Sequence, residues 1–247
     1  MDFRGDHRAM TETRDFKVKI FADGADVAEI VRLSGNPLIK GFTTNPTLMR
    51  KAGVTDYRGF ARDVVAAIPA LPVSFEVFAD DFDEMERQAL EITGWGENLY
   101  VKIPITNTRG ESAVPLMARL AGQGVKVNAT ALMTRDQVKM ASQALADAPG
   151  GYISVFAGRI ADTGRDPVPE IAAALEIIAA TPQLELIWAS PREVFDIVRA
   201  NDVGCHVITV TYDLLRKSEL FGKDLAEFSL ETVRMFYGDA CAAGYSL

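Results

Sequence analysis

The sequence is poor in the residues and runs that mark several large classes of protein. Its 247 residues include two cysteines, Cys205 and Cys241, and two histidines. Two isolated cysteines provide neither a disulfide framework nor the ligand spacing of a zinc site, and we expect no metal. The formal net charge is −8 and no basic run counters it, so a nucleic-acid partner is not expected.

Long apolar runs are also missing. No uninterrupted apolar stretch reaches membrane-spanning length, and residues 1–15 lack the apolar segment of a secretory signal. We therefore expect a cytoplasmic protein without a membrane partner, with a flexible N-terminal leader at residues 1–15. Because no Ser/Gly-rich linker or composition break interrupts the remainder, residues 16–247 are predicted to form one domain.

What the sequence does contain is a regular alternation of strand-like and helical segments. Capping patterns at Asp83 and Thr134 predict helix starts, and residues 168–180 and 228–244 have the spacing of longer helices. The eight strand-like runs are 17–23, 40–45, 73–79, 99–105, 125–132, 152–159, 184–190 and 206–212.

Eight strands that alternate with helices favour parallel pairing through right-handed crossovers. At this chain length a single (β/α)8 TIM barrel, an α/β fold, accounts for the pattern. A doubly wound open sheet is the main alternative, but no glycine-rich fingerprint follows the first strand.

Polar residues are concentrated near the C-terminal ends of these strands, where barrel enzymes place their chemistry. Some have an ordinary explanation: Asp23 precedes a glycine and Asn45 precedes a proline, as in turns and helix caps. Glu76 and Lys102 are harder to explain, because each puts a charge inside an apolar strand. A structural ion pair between them is the alternative to a catalytic role. The polar set is Asp23, Thr43, Thr44, Asn45, Glu76, Lys102, Asn128, Thr130, Ser154, Arg159, Ser190 and Arg192.

A lysine in such a strand has a defined chemical use. Desolvation favours the free amine, which attacks a carbonyl carbon and forms a Schiff base. The Schiff base accepts electrons, so that a neighbouring C–C bond can break without a metal. This chemistry also needs carboxylates that move protons, and Asp23 and Glu76 are available.

The segment "ASPRE" at residues 189–193 suggests an anion site. Ser190 is predicted as a helix N-cap and Pro191 as the first helical residue, which places Arg192 in the first turn, where the helix dipole disfavours a cation. An anion bound at that N-terminus would resolve the mismatch. Arg159 would supply a second guanidinium suited to phosphate. Two solvated surface arginines are the alternative.

With these motifs assembled, the sequence resembles the transaldolase family, particularly the small branch that includes fructose-6-phosphate aldolases. The resemblance covers about residues 17–245 and rests on "FADGAD", "GFTTNPTLM", "SFEVFA", "YVKIPIT", "NATAL", "SVFAGRI" and "ASPRE", in that order. It implies a (β/α)8 barrel, no metal and no organic cofactor. It also implies transfer of a dihydroxyacetone unit between sugar phosphates.

The resemblance further implies roles for individual residues. Lys102 matches the Schiff-base lysine, Asp23 a proton-transferring aspartate, and Glu76 a glutamate that works through a water held by Thr130. We expect Asp23 to help expel water and Glu76 to take a proton as the C–C bond breaks. The residues at substrate-binding positions are Thr43, Asn45, Asn128, Ser154, Phe156, Arg159, Ser190 and Arg192.

Phe156 and Glu76 resemble transaldolase residues, whereas fructose-6-phosphate aldolases carry tyrosine and glutamine at these positions. An aldolase that releases free dihydroxyacetone is one alternative, and a sugar-phosphate-binding barrel without turnover is another. Pro191 departs from the family, which usually has phenylalanine there, and a proline could re-aim Arg192. The tail at residues 228–247 is amphipathic, which suits either docking in a homo-oligomer, as in the small branch, or an ordinary last barrel helix.

Overall fold

The computed structural model describes residues 16–246, and its eight strands confirm the predicted TIM barrel. All strand pairs are parallel, neighbours follow chain order, and β8 closes the barrel against β1. The strands are β1 (Lys19–Asp23), β2 (Ile39–Thr43), β3 (Val73–Glu76), β4 (Leu99–Pro104), β5 (Val127–Leu132), β6 (Gly151–Val155), β7 (Leu184–Trp188) and β8 (Val207–Thr211).

At least one helix follows each strand, as the alternating pattern predicts. A short 3-10 helix at Ser218–Leu220 precedes the last α-helix. The α-helices are α1 (Val27–Ser34), α2 (Pro46–Lys51), α3 (Tyr57–Ala67), α4 (Phe82–Thr93), α5 (Val114–Gly122), α6 (Arg135–Ala144), α7 (Ala157–Asp162), α8 (Val168–Ile178), α9 (Asp196–Asp202), α10 (Tyr212–Lys217) and α11 (Leu225–Ala243).

Side-chain caps explain where several helices begin. The predicted capping box at Thr134 forms and starts α6. The predicted cap at Asp83 is wrong, because Asp81 is the N-cap of α4 and its carboxylate accepts the backbone N–H groups of Asp83 and Glu84. Asp26, rather than Asp23, caps α1. Asp23 therefore takes no part in starting the first helix.

The predicted strands form, and most end earlier than the apolar runs suggest. Strand β3 stops at Glu76, although the run continues to residue 79. The side chain of Gln88 on α4 accepts hydrogen bonds from the backbone N–H groups of Phe78 and Ala79. These groups are therefore satisfied by a helix instead of a neighbouring strand. The chain thereby leaves the hydrogen-bonding ladder of the sheet near the C-terminal ends of the strands, where the polar residues lie.

Aromatic side chains fill the barrel interior beneath the C-terminal ends of the strands. The rings of Phe21 and Tyr152 meet edge to face with centroids 5.5 Å apart, and Tyr100 packs on Tyr152 at 4.4 Å. These three residues, here called the aromatic layer, join a buried cluster that includes Ile187 and Val207. The layer closes the barrel interior, so polar groups above it are partly removed from water.

The contacts group Phe16–Leu215, which contains the barrel, separately from the residues that begin at Arg216. Helix α11 in the second group has no buried residue, although it exposes seven large apolar side chains. The predicted leader at 1–15 lies outside the described residues, and one domain over 16–247 stays a prediction. Among residues 16–246 no helix is long and apolar enough to span a bilayer.

Candidate active site

A polar layer lies directly above the aromatic layer. Side chains alternate along a strand, so residues two positions apart share a face. Each aromatic residue is therefore followed on the same face by a polar one: Asp23 on β1, Lys102 on β4 and Ser154 on β6. The barrel thus brings together side chains that are widely separated in sequence.

Lys102 is 6% exposed and has two oxygen partners. Strand register places it between Glu76 on β3 and Asn128 on β5. Its Nζ lies 3.0 Å from Glu76 Oε2 and donates a hydrogen bond of 3.0 Å to the carbonyl oxygen of Thr44. These contacts offset part of the cost of burying an ammonium, and they explain how the apolar strand tolerates a lysine.

Asp23 lies at the end of β1, in register with Thr43 on β2. The Thr43 hydroxyl donates a hydrogen bond of 2.8 Å to Asp23 Oδ1. Burial raises the pKa of Asp23 above its ordinary value, and the nearby charge of Lys102 and the Thr43 hydroxyl only partly oppose this effect. The group is therefore a stronger base than an ordinary aspartate.

A chain of three polar side chains crosses the interior next to Lys102. The Ser154 hydroxyl donates to Asn128 Oδ1 at 2.7 Å, and Asn128 Nδ2 donates to the Ser74 hydroxyl at 3.0 Å. All three residues are buried. Ser74 was not among the residues predicted from the sequence, although its position two residues before Glu76 on the same strand face would have indicated it.

Thr130 carries an unpartnered hydroxyl in this region. Its Oγ1 is buried and has no hydrogen-bond partner among the described residues. The next residue, Ala131, has a positive φ of 64°, and the pairing of β5 with β6 is irregular at this point. Left-handed backbone at a residue other than glycine carries strain, and such strain is often found at functional sites.

Asn45 has the ordinary structural role that its position before a proline suggested. Its Oδ1 accepts the backbone N–H of Leu48 at 3.0 Å and caps α2. The Nδ2 amide group takes no part in this cap, so capping and substrate binding by Asn45 are compatible.

The predicted helix start at Ser190 is wrong. Helix α9 begins at Asp196, and Arg192 lies in the preceding loop. The Asp196 carboxylate accepts the backbone N–H groups of Arg192 and Glu193, at 2.8 and 3.2 Å, so these amides are satisfied within the loop. Ser190 itself has a positive φ of 60°, which an N-cap residue does not adopt. Arg192 therefore does not lie in the first turn of a helix, and the predicted anion site at a helix N-terminus loses its basis.

Two arginines nevertheless flank the loops after β6 and β7. Arg159 is exposed and belongs to the short helix α7, rather than ending β6 as predicted. The Arg192 guanidinium forms a bidentate ion pair with Asp162, at 2.9 Å between Nε and Oδ1. Phe156 precedes α7 and packs against the cluster that contains the aromatic layer. Asp162 was not among the residues predicted from the sequence, although its position three residues after Arg159 would have indicated a shared helix face.

Glycine is required where these two loops meet. A Cβ added to Gly158 would lie 1.7 Å from the carbonyl oxygen of Ser190. The backbones of α7 and of the loop after β7 therefore approach as closely as glycine permits.

Tyr57 is a further residue that sequence reasoning missed. Its hydroxyl donates a hydrogen bond of 2.7 Å to the carbonyl oxygen of Glu76. Burial raises the pKa of Tyr57, so the phenol stays protonated and keeps this bond. Its ring packs against Phe75, Phe78 and Trp95. Tyr57 thereby fixes the backbone from which the Glu76 carboxylate extends.

The polar layer combines an amine with two carboxylates in a mostly enclosed interior. A buried amine, with Glu76 3.0 Å away and Asp23 on another strand, has what carbonyl condensation requires. Hydroxyl and amide groups on neighbouring strands offer hydrogen bonds to a polyhydroxylated ligand. Arg159 on the helix after β6 and Arg192 in the loop after β7 lie at one side of the same barrel end.

Comparisons with known proteins point to one family. The sequence model of the family described as "Transaldolase/Fructose-6-phosphate aldolase" matches residues 20–243. A "Probable transaldolase" from Methanococcus maripaludis is 32% identical over 215 residues, which cover 87% of this chain and 94% of that relative. A protein of the same name from Dehalococcoides mccartyi is 33% identical over 199 residues, which cover 80% of this chain and 88% of that relative.

Solved structures support the barrel. The crystal structure of KGPDC from Streptococcus mutans superposes with a TM-score of 0.55, over 82% of this chain and 91% of that chain. The two sequences are 9% identical, so this likeness shows the fold alone.

Proposed function

We propose that this chain, which belongs to the transaldolase/fructose-6-phosphate aldolase family, is a class I transaldolase. The family match confirms the resemblance predicted from the sequence motifs. The proposed reaction transfers a dihydroxyacetone unit from a ketose phosphate, such as fructose 6-phosphate or sedoheptulose 7-phosphate, to an aldose phosphate. The observation that carries the proposal is the buried Lys102 amine in contact with Glu76. A cytoplasmic location is part of the same proposal.

The reaction begins with proton transfer inside the Lys102–Glu76 pair. The ammonium gives a proton to the Glu76 carboxylate, and the free amine forms a bond to C2 of the ketose, yielding a carbinolamine. The proton on Glu76 then leaves with the C2 hydroxyl as water, and a positively charged imine remains. The buried, unpartnered hydroxyl of Thr130 suits a water that relays this proton.

The C–C bond breaks in the second stage. The Asp23 carboxylate takes the proton of the C4 hydroxyl, the C3–C4 bond breaks, and its electron pair neutralises the imine as an enamine while the aldehyde leaves. The raised pKa of Asp23 makes it a better base for this step. An acceptor aldehyde then adds to the enamine, Asp23 returns its proton, and water releases Lys102.

This assignment exchanges the two carboxylate roles that the sequence suggested. The 3.0 Å contact supports Glu76 as the group that moves protons at the lysine nitrogen and at C2. Asp23, which lies on another strand and is held by Thr43, then serves the more distant C4 hydroxyl.

The remaining residues bind the sugar in this proposal. Asn128, Ser154 and Thr43 offer hydrogen bonds to hydroxyl groups, and Arg159 and Arg192 bind the phosphate. Ser190 and Asn45 line the same barrel end. No metal or organic cofactor is needed, because the imine itself accepts the electron pair.

Borohydride trapping tests the proposal. Reduction in the presence of fructose 6-phosphate should leave a stable adduct on Lys102, identified by peptide mass spectrometry. The variant Lys102→Arg should give no adduct and no transfer, whereas Lys40→Arg, which changes an exposed strand lysine, should behave like the wild type. A wild-type protein without an adduct on Lys102 from any ketose phosphate would refute the Schiff-base mechanism, and would leave the alternative of a sugar-phosphate-binding barrel without turnover.

An aldolase that releases free dihydroxyacetone is the second candidate function. Phe156 at the edge of the site provides no hydroxyl to deliver a proton to the enamine. The enamine is therefore expected to persist until an acceptor aldehyde reacts with it. Formation of dihydroxyacetone from fructose 6-phosphate without any acceptor, at a rate similar to transfer, would favour the aldolase.

We also propose that the protein is a homo-oligomer in which a second copy of the chain covers α11. Many large apolar side chains exposed along one helix are uncommon on a monomer. The exposed side chains are Leu225, Phe228, Leu230, Val233, Met235, Phe236 and Tyr237.

A further inference from the structure

Asp162 lies at the C-terminal end of α7 and engages the Arg192 side chain. Asp162 Oδ1 accepts from Arg192 Nε at 2.9 Å, and Oδ2 pairs with Arg192 Nη2. A guanidinium has five N–H donors in a fixed plane. A bidentate pair through Nε and one Nη sets the orientation of that plane, and it leaves the other donors for a ligand.

Arg159 lies three residues before Asp162 on the same helix. Residues at this spacing share a helix face, so the carboxylate stands near both guanidinium groups. The hydrogen bond from Arg192 is the largest cause that lowers the pKa of Asp162, and the charges of Arg192 and Arg159 add to it. Asp162 therefore stays ionised and lowers the mutual repulsion of the two arginines.

The backbone near Arg192 is fixed independently of Asp162. The carbonyl of Ser190 rests against Gly158, and Asp196 holds the backbone N–H of Arg192. These contacts fix the backbone of Arg192 but not the position of its guanidinium group. Within residues 16–246, the hydrogen bonds and the ion pair of that guanidinium go to Asp162. In this chain, where Pro191 precedes Arg192, the guanidinium is directed toward α7.

We propose that Asp162 is a positioning residue for phosphate binding, a role that rests on the proposed function. It holds the Arg192 guanidinium beside Arg159, so that both cations face one anionic group of the substrate. Asp162 does not touch the phosphate, and it acts by orienting Arg192 and by reducing the repulsion between two like charges. Selectivity for phosphorylated over unphosphorylated donors therefore depends on an acidic residue.

The test compares a phosphorylated with an unphosphorylated donor. Borohydride trapping on Lys102 is followed against the concentration of fructose 6-phosphate and of dihydroxyacetone, and transfer kinetics are measured in parallel. Asp162→Ala should raise KM for fructose 6-phosphate about tenfold, which corresponds to the loss of one charge-assisted contact. The kcat of this variant should stay within about twofold of the wild-type value. Half-saturation by dihydroxyacetone should not change. Asp162→Glu should recover part of the loss.

A matched control removes a similar ion pair elsewhere. Glu170 pairs with Arg135 through two contacts of 2.9 Å on the outer helices α8 and α6, and Glu170→Ala should leave both donors unaffected. In a double-mutant cycle, Asp162→Ala should add little to the loss in Arg192→Ala, because both changes remove the same interaction.

The outcomes separate this inference from the proposed function. A wild-type Lys102 adduct, combined with an Asp162→Ala variant whose KM for fructose 6-phosphate is unchanged or lower, would overturn the role of Asp162 alone. An equal loss for both donors would do the same, since it indicates a general structural effect. The lack of any adduct in the wild type would instead refute the Schiff-base mechanism itself.

Discussion

Lys102 Nζ and Glu76 Oε2 lie 3.0 Å apart on neighbouring strands, at positions that face each other directly in the barrel register. Both side chains are largely enclosed, with 8% and 17% of their surfaces exposed. The pair resolves the apparent conflict of two charges within apolar strands, since each charge satisfies the other. A structural ion pair and a reactive amine are thus compatible, because in the proposed mechanism the carboxylate that stabilises the ammonium also accepts its proton.

The first prediction concerns the stability of this pair. Lys102→Met should lower the free energy of unfolding by about 3 kcal/mol, because it leaves the Glu76 carboxylate buried without a partner. The double variant Lys102→Met/Glu76→Leu should recover much of the loss, since the Glu76 carboxylate is no longer left without its partner. Urea denaturation of the two single variants and the double variant measures the coupling. Equal destabilisation in Lys102→Met and in the double variant would mean that the pair has no such coupling.

The second prediction concerns Asp23. Burial raises the folded-state pKa of this carboxyl, so the folded protein holds the proton more tightly than the unfolded chain. Stability contributed by Asp23 therefore falls as pH rises from the ordinary aspartate pKa, about 4, through the folded-state value. Asp23→Asn removes this cost, and it should raise Tm at pH 7 while lowering kcat about 100-fold or more.

The pH dependence distinguishes this effect from an unrelated change in packing. The gain in Tm for Asp23→Asn should shrink as pH falls from the folded-state pKa toward about 4, and it should be gone below about 4, where the unfolded chain also binds the proton. Asp63→Asn, which changes an exposed aspartate on α3, serves as the control and should show little gain at any pH. A gain for Asp23→Asn that is constant with pH would contradict the account.

The sequence predicted the barrel because the strand signal is local. Each strand is a short apolar run, and all eight form as predicted. Lys102 and Glu76 were found for the same reason, since a charge inside an apolar run is visible without knowledge of its neighbours. The capping box at Thr134 is equally local and was confirmed.

What the sequence could not predict depends on which side chain satisfies a given backbone or side-chain group, within a loop or between distant segments. The segment after β7 has the local signals of a helix start, yet the Asp196 carboxylate satisfies the backbone amides of Arg192 and Glu193, so the helix begins later. The Arg192–Asp162 pair joins residues 30 positions apart, and it forms because the barrel brings α7 next to the loop after β7. The orphan hydroxyl of Thr130 is likewise a property of packing rather than of sequence.

The third prediction concerns the balance between transfer and release. Phe156→Tyr introduces a hydroxyl at the edge of the site, where it can deliver a proton or hold a water near the enamine. The variant should release more dihydroxyacetone from fructose 6-phosphate without an acceptor, and should lose transferase rate. Coupled assay of dihydroxyacetone with and without erythrose 4-phosphate measures the ratio. Phe156→Leu, which changes shape without adding a hydroxyl, should not raise release; an equal rise in both variants would exclude a role for the hydroxyl.

The fourth prediction concerns Gly158, where α7 closely approaches the loop after β7. Gly158→Ala places a Cβ within 1.7 Å of the Ser190 carbonyl oxygen, so the loop that carries Arg192 must move. We expect a lower Tm and a higher KM for fructose 6-phosphate. Gly122→Ala, at the end of α5, is the control: an added Cβ meets nothing within 4 Å, and stability should stay within about 1 kcal/mol of the wild type. Unchanged KM in Gly158→Ala would show that the loop position does not matter for phosphate binding.

The fifth prediction concerns α11 and the assembly of the protein. Phe236 is 63% exposed on a helix that has no buried residue, so an apolar partner surface would remove a large area from water. The wild type should have a mass in solution that is a multiple of 26.9 kDa by light scattering, and Phe236→Glu should shift it toward the single chain. Met140→Glu adds the same charge at a 42% exposed apolar residue of α6, and it should leave the mass unchanged. A wild-type protein with the mass of one chain would refute assembly through α11, whereas an oligomer that persists in Phe236→Glu would place the interface elsewhere.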